Sequence, residues 1–310
     1  MLNGTLAAGR FVHPALFYRD TEEYVAGTVP FLLEGLAAGE PVAAAVPAAN
    51  LKLLRAELGD RAGDVHCLDM EQAGRNPGRI IPGVLRAFAD IHPNRRVRII
   101  GEPIWPGRSP EEYPACVQHE ALINMAFSGR DVTILCPYDT ARLDAAVLAD
   151  ARATHPVIVD AGRERPSDAY APERVAAAYN LPLLHPSGAA SFAFDADLLP
   201  DARHFAEAQA SRLGLTEDRM GDLTLAIGEL ITNSVVHAHG SGVVRVWAED
   251  SRLVCEVRDA GRLTDPLAGR RPPSRDQPHG RGLLMVNHLA DLVRLHSGPD
   301  GTTVRFYFSR

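Results

Sequence analysis

Three polar residues recur at helical spacing in the C-terminal half of the chain. Glu229, Asn233 and His237 are four residues apart, so an α-helix would place them on one face within roughly 80° of arc. Glu229 could accept the proton of an attacking hydroxyl or water, and the amide oxygen of Asn233 suits a magnesium ion. This polar stripe predicts a catalytic and metal-binding site on one helix.

A second group of residues follows the strand-like run 253–257. Asp259 stands where a carboxylate could accept a hydrogen bond from an adenine amino group at the edge of a sheet. Gly261 has no Cβ, so the backbone there could approach the base closely. Thr302 and Thr303, near the end of the chain, could add hydroxyl contacts. These residues predict the base-binding side of a nucleotide site.

A glycine turn completes the predicted site. It opens a predicted helix over 283–289, so free backbone N–H groups and the positive end of the helix dipole would face phosphates. The preceding residues 262–279 show little periodicity and predict a mobile lid over a triphosphate. The residues of the turn are Gly280, Arg281, Gly282 and Leu283.

Each of these features also has a purely structural explanation. A lone Gly-x-Gly is usually a turn, and Glu229 and Asn233 alone could be a solvated helix face. The order and spacing of all the features together favour the nucleotide site. The structural explanation is stronger for His237 than for the other residues, because histidine commonly ends a helix near its negative dipole end.

The composition limits the class of protein. The 310 residues suggest two domains, and 46% hydrophobic with 23% charged residues is typical of a globular protein. No run of about 18 apolar residues and no basic-then-apolar leader occurs, so we expect a cytoplasmic protein with no membrane partner. The net charge of -7 disfavours direct nucleic-acid binding. The four cysteines have no ligand spacing, which predicts neither disulfides nor a zinc site.

The two halves of the chain have different patterns of predicted secondary structure. In the first, strand-like runs alternate with amphipathic stretches, which predicts an α/β fold with a largely parallel sheet. The second half is predicted to contain two helices, two adjacent strands, a glycine-rich loop, a helix and a last strand. This order indicates an α+β sandwich of helices on a mixed sheet. The predicted first-half strands are 41–46, 65–70, 97–101, 132–136 and 156–160. The predicted domains are 1–160 and 196–310, joined by a linker over 161–195 with a short helix at 172–179.

The C-terminal residues resemble the GHKL ATPase domain of histidine kinases, Hsp90, type II topoisomerases and MutL. The resemblance rests on Glu229/Asn233/His237, Asp259/Gly261, Gly280/Gly282 and Gly301/Thr302 in that order. Within that superfamily the chain is similar to the anti-sigma factor serine/threonine kinases. The resemblance implies ATP and Mg²⁺ as cofactors and Glu229 as the catalytic base. It also implies a sigma factor and a STAS-domain anti-sigma antagonist as partners, and it allows a homodimer.

Residues 11–160 resemble the MEDS sensory domain, a RecA-like fold. The motifs are His13-Pro-Ala-Leu-Phe-Tyr18, Gly101-Glu-Pro-Ile-Trp105, Cys116 to Asn124 and Cys136 to Asp139. MEDS followed by an ATPase domain resembles the actinobacterial RsbA-type anti-sigma regulatory proteins. No GxxxxGK[ST] motif occurs, so this half cannot bind phosphates in the P-loop manner. It is expected to be a sensor or docking domain.

Residues at predicted strand exits of this half suggest a site for a small-molecule ligand, because open α/β sheets gather ligands there. The equally weighted alternative is that the aromatic residues belong to the core or an interface and the polar ones to a helix face. The residues of the predicted sensor site are His13, Tyr18, Glu102, Trp105, Glu120, Asn124 and Asp139.

Two functions stay open on this sequence. The first is a kinase that phosphorylates a serine or threonine of the antagonist and sequesters a sigma factor. The second is a non-catalytic switch in which ATP or a sensor ligand changes the affinity for a protein partner. Arg262, where the family's adenine motif often has a second glycine, slightly favours the switch. A sensor histidine kinase is disfavoured, because the region before the ATPase domain has no place for a phosphoacceptor helical hairpin.

Overall fold

Two units account for the chain in the computed structural model, which describes residues 11–272 and 280–310. The first unit ends at Tyr179, and the second spans Asn180–Arg310. Among the helices in these described ranges, none is long and apolar enough to cross a membrane.

The first unit alternates strands and helices along the chain. Its strands are β1 (Pro14–Tyr18), β2 (Val42–Val46), β3 (His66–Asp69), β4 (Val97–Gly101), β5 (Val132–Asp139), β6 (Val157–Asp160) and β7 (Arg163–Pro166). Its α-helices are α1 (Thr21–Ala37), α2 (Ala48–Leu58), α3 (Met70–Ala73), α4 (Arg86–Asp90), α5 (Tyr113–Ala126), α6 (Ala145–Thr154) and α7 (Pro172–Ala178). Short 3-10 turns cover Gly59–Asp64 and Pro77–Arg79, and one π-helical turn covers Ile80–Leu85.

The strands described for this unit form one sheet in the order β3-β2-β4-β5-β1-β6-β7. Every neighbouring pair is parallel except β6 and β7, which are antiparallel. The predicted α/β class is therefore confirmed. Strand β1, which the pattern does not predict, lies between β5 and β6. Its five residues are all buried, so it lacks the alternation of a half-buried strand.

The second unit places helices on one antiparallel sheet. Its strands are β8 (Ala190–Asp195), β9 (Ser241–Glu249), β10 (Arg252–Asp259), β11 (Leu292–Gly298) and β12 (Gly301–Ser309). Its helices are α8 (Leu199–Arg212), α9 (Glu217–His237) and α10 (Gly282–Leu289). The α+β class is confirmed, but the sheet, expected to be mixed, has only antiparallel pairings among the described strands in the order β11-β12-β10-β9-β8.

Helix α9 is seated on this sheet by the apolar face that the sequence predicts. Leu223, Ile227, Leu230 and Ile231 are each at most 3% exposed and belong to the same core cluster as strand residues such as Phe306. Burying each such side chain contributes about 1.5–3 kcal/mol to folding. This packing fixes which way the polar stripe of the helix faces.

The segment predicted as a linker, residues 161–195, contains regular structure. Strand β7 pairs with β6 of the first unit, and β8 pairs with β9 of the second. Helix α7 also lies in this segment, close to the predicted short helix. The division between the units falls between Tyr179 and Asn180, within the segment.

Candidate functional site

The polar stripe lies on α9 as its spacing predicts. Glu229 and Asn233 are half-buried, and His237 is exposed at the last residue of the helix. No described residue forms a hydrogen bond with the side chain of Asn233, so its amide oxygen can accept a ligand.

Asp259 is the last residue of β10, and its carboxylate is held on both oxygens. The Ser234 hydroxyl donates to Oδ2 at 2.7 Å, and the Gly261 backbone N–H donates to Oδ1 at 2.9 Å. Ser234 is 1% exposed and is absent from the predicted site. The signal that could have revealed it is a hydroxyl in the otherwise apolar face of α9. The Ser234 hydroxyl fixes the Asp259 carboxylate to α9.

The loop after β10 is held by Thr302. Thr302 lies opposite Asp259 in the β10–β12 ladder, and its hydroxyl donates to the Gly261 carbonyl at 2.9 Å. The Ser297 hydroxyl is 2.8 Å from Thr302 Oγ1 and accepts the Leu263 N–H. Thr303 is the next residue of the strand, so its side chain points to the opposite face of the sheet. Of the two predicted threonines, Thr302 lines the cavity described below and Thr303 does not.

The glycine turn meets the polar stripe at Gly282, the first residue of α10. A Cβ placed there would be 2.7 Å from Glu229 Oε2 and 2.8 Å from Asn233 Nδ2. Gly261 is similarly confined, since its Cβ would lie 2.4 Å from the Cβ of Ala238. At Gly261 a side chain would collide with Ala238, and at Gly282 it would displace the ends of the Glu229 and Asn233 side chains. The N–H groups at the start of α10 therefore lie beside Asn233 and Glu229.

These parts line one cavity in the second unit. The predicted residues that line it are Asn233, His237, Asp259, Gly261, Gly280, Gly282, Leu283 and Thr302. Arg262 and Ser234 also line it. Among the described residues, the lining does not include Glu229, Arg281 or Thr303, although Glu229 contacts the position of Gly282 as given above. The predicted lid over 262–279 lies partly outside the described residues, which omit 273–279.

A second pocket lies in the first unit. It gathers Tyr18, Glu102, Trp105 and Asp139 from the carboxyl ends of β1, β4 and β5, which are neighbours in the sheet. Glu102 is 2% exposed and accepts a hydrogen bond from Asn50 at 2.8 Å. Burial raises the pKa of Glu102 to about 8, against the opposing effect of its hydrogen bonds. Its carboxyl is thus mainly protonated near neutral pH.

The other three predicted sensor residues are not in this pocket. His13, Glu120 and Asn124 form a separate buried group, in which His13 Nδ1 is 3.3 Å from Asn124 Oδ1 and His13 Nε2 is 3.2 Å from Glu120 Oε2. The expectation of one sensor site is therefore wrong. His13 directly precedes β1 and Tyr18 is its last residue, roughly 16 Å away at strand rise, so one small ligand cannot span both.

Two domain models match this chain. The first is "MEDS: MEthanogen/methylotroph, DcmR Sensory domain", over residues 12–156. The second is "Histidine kinase-like ATPase domain", over residues 192–308. Both resemblances inferred from the sequence are therefore confirmed, and each model falls on one of the two units.

Curated relatives agree with the second match. The anti-sigma F factor of Pasteuria penetrans is 31% identical over 114 residues, which cover 33% of this chain and 76% of that protein. The serine-protein kinase RsbW of Halalkalibacterium halodurans is 31% identical over 98 residues, 28% of this chain and 60% of that protein. RsbW of Bacillus subtilis is 32% identical over 105 residues, 29% of this chain and 66% of that protein.

The chain belongs to the anti-sigma F factor and RsbW family. The matched lengths are about a third of this chain, so the family assignment carries no information on the other two thirds. In this family member the cavity beside α9 lies in the histidine kinase-like ATPase domain, and the Glu102 pocket lies in the MEDS domain.

The raised pKa of Glu102 makes the stability of this family member depend on pH. The stability that neutral Glu102 provides is fully present below about pH 4.5 and is lost as the pH rises through about 8. Glu102→Gln cannot ionise, so between about pH 5 and about pH 8 the wild type should lose on the order of 4 kcal/mol relative to this variant. Chemical denaturation across this range measures the difference.

The matched control for this experiment is Glu71→Gln, an exposed carboxyl lining the same pocket. It should leave the slope of stability against pH unchanged. If Glu102→Gln and the wild type have the same slope, Glu102 is not a buried acid with a raised pKa.

Proposed function

We propose that this chain is an ATP-dependent protein serine/threonine kinase that also sequesters a sigma factor under the control of its MEDS domain. The observation that carries the proposal is the junction of α9, the end of β10 and the start of α10. There Asn233, Asp259 and Gly282 share one cavity, and Glu229 lies beside the glycine.

The donor groups at this junction fit ATP and magnesium. The room left by the missing Cβ of Gly282 lies between Glu229 Oε2 and Asn233 Nδ2, where a phosphate or its metal ion would meet the helix. Asn233 would hold Mg²⁺ through its amide oxygen, since magnesium keeps few protein ligands beside phosphate oxygens and waters. Magnesium, when bound, neutralises negative charge on the phosphates.

Each remaining group has a defined task in this proposal. Asp259, held by Ser234 and Gly261, accepts a hydrogen bond from the adenine amino group. The backbone N–H groups of the Gly280–Gly282 turn and the dipole of α10 bind phosphate oxygens. Glu229 accepts the proton of the attacking serine or threonine hydroxyl.

The partners proposed here come from the family. The relatives are named as an anti-sigma F factor and as serine-protein kinases, which supports a sigma factor and a STAS-domain antagonist as the proteins bound. A homodimer is part of the same proposal.

The MEDS domain is proposed to sense a small molecule in the Glu102 pocket. Protonated Glu102 and the hydroxyl of Tyr18 would offer hydrogen-bond donors at the ends of neighbouring strands. This supports a small ligand that carries hydrogen-bond acceptors.

A non-catalytic switch is the alternative function. Arg262 lines the cavity at a position where the family's adenine motif often has a glycine, and its side chain is exposed. In this case ATP would bind and shift the affinity for a protein partner without phosphoryl transfer.

Removing the proposed magnesium ligand tests the nucleotide site. Asn233→Ala should weaken magnesium-dependent ATP binding by about 10–100-fold, equivalent to ~1.4–2.7 kcal/mol, because the metal loses its only proposed protein ligand. Isothermal titration calorimetry of the full chain with Mg-ATP measures the change. Thr232→Ala, an exposed neighbour on the same helix, is the control and should bind as the wild type does. Equal affinity in Asn233→Ala would remove Asn233 from the site.

Neutralising the proposed base separates the kinase from the switch. Glu229→Gln keeps the size of the side chain, so ATP affinity should change by less than about threefold, while phosphoryl transfer should fall by about 100-fold or more. The assay follows radiolabelled γ-phosphate from ATP to purified STAS-domain proteins of the same organism. Unchanged transfer in the variant would make Glu229 a helix-face residue. Binding of ATP by the wild type without transfer to any of these proteins would support the switch.

A further inference from the structure

Four residues with metal-binding side chains meet inside the MEDS domain. His13 precedes β1, Glu120 lies on α5, Cys136 lies on β5, and His155 ends α6. All four are at most 1% exposed, and one ligand atom from each lies within 4.8 Å of those from the others. The proposed kinase does not use this cluster, and the cluster is separate from the Glu102 pocket.

The backbone sets the proton position on His155. Its Nδ1 is 2.8 Å from the carbonyl oxygen of Ala151. A carbonyl can only accept a hydrogen bond, so Nδ1 carries the proton. In the neutral ring Nε2 then carries a lone pair and no proton. This Nε2 atom lies 3.5 Å from Glu120 Oε2.

Asn124 sets the proton position on His13 in the same way. Its amide nitrogen points at three backbone carbonyls, with the Thr154 oxygen at 2.9 Å, so its oxygen must face His13 Nδ1. His13 therefore donates from Nδ1. Its Nε2 lone pair faces Glu120 Oε2 at 3.2 Å and Cys136 Sγ at 3.3 Å.

Electron-rich atoms thus converge on one buried point. The hydrogen bonds of their Nδ1 atoms leave the Nε2 atoms of His13 and His155 as acceptors in the neutral rings. The second oxygen of Glu120, Oε1, has no hydrogen-bond partner among the described residues. Two imidazole lone pairs facing a carboxylate repel each other unless a proton or a cation lies between them.

We propose that His13, Glu120, Cys136 and His155 bind one zinc ion. Zinc bonds of 2.0–2.3 Å place tetrahedral ligand atoms roughly 3.3–3.6 Å apart. The separations in the structure are 3.2 Å for His13 Nε2 to Glu120, 3.3 Å for His13 Nε2 to Cys136 and 3.5 Å for His155 Nε2 to Glu120. The Cys136 Sγ to Glu120 Oε2 separation is 3.7 Å.

The surroundings match those of a structural zinc site. Histidine ligands usually donate their other ring N–H to an oxygen, as His13 does to Asn124 and His155 does to Ala151. Nitrogen, sulfur and carboxylate donors together suit zinc better than magnesium or calcium. Four buried protein ligands leave no open position for substrate, so the site is structural. It joins the residue before β1, the middle of α5, strand β5 and the end of α6.

Metal content of the full-length protein tests the proposal. The chain is expressed with added zinc, purified without chelator and measured by inductively coupled plasma mass spectrometry. We expect about one zinc per chain. Exchange into Co²⁺ should give a thiolate-to-cobalt charge-transfer band, and chelation should lower the melting temperature of the protein. A wild type with neither bound zinc nor a cobalt band would overturn the proposal, and the cluster would then be a proton-sharing network.

Variants identify the ligand. Cys136→Ala should abolish the cobalt band and weaken zinc affinity by about 100-fold or more, measured by chelator competition. Cys116→Ala removes another buried cysteine of the same unit and should keep both the cobalt band and the zinc affinity of the wild type. Cys136→Ser, which keeps the shape of the side chain, is measured alongside in case Cys136→Ala does not fold. A full cobalt band in a Cys136 variant would contradict the assignment.

Discussion

The hydrogen bond from Ser234 to Asp259 joins the two elements on which the ATPase unit depends. It links the buried face of α9 to the last residue of β10 over 2.7 Å, and Gly261 holds the other carboxylate oxygen. Because α9 is fixed on the sheet by its apolar face, its polar stripe can face only one edge of the unit. The start of α10 then lies against that stripe, where a Cβ at residue 282 would displace the side-chain ends of Glu229 and Asn233. The cavity follows from these close approaches.

The positions of these residues follow from the sequence for a physical reason. Glu229, Asn233 and His237 lie on one helix, and helical periodicity is local, so their common face can be derived without any tertiary contact. Asp259 and Gly282 could be assigned because a strand end and a helix start are also local features. Ser234 was missed because its role is a contact 25 residues away in sequence. Thr303 lies outside the cavity lining because adjacent strand residues point to opposite faces of the sheet.

In the MEDS domain, local sequence patterns predict the fold class but not every strand or the grouping of the site residues. Its fold class follows from the alternation of strands and helices, but β1 is a short, fully buried run without alternation and escapes pattern analysis. Its motif residues were expected in one site because strand exits gather ligands. Strand length separates them instead, leaving Tyr18 and Glu102 at one end of the sheet and His13 with Glu120 near the other. His155 and Cys136 join the second group from distant positions, a juxtaposition that cysteine spacing cannot reveal.

The two units thus carry different kinds of polar site. The ATPase cavity is open and built from backbone N–H groups with half-buried side chains, which suits a ligand that enters and leaves. The His13 cluster is closed and made of fully buried side chains, which suits a permanent ligand. The Glu102 pocket lies between these extremes, with a buried acid at the bottom of an accessible recess.

A crystal structure of the full chain with magnesium and a non-hydrolysable ATP analogue would test the central claim most directly. The account predicts the adenine amino group within hydrogen-bond distance of Asp259, the phosphates against the Gly280–Gly282 turn, and the metal on Asn233. A nucleotide bound elsewhere, or bound in this cavity with its phosphates away from α10, would contradict it.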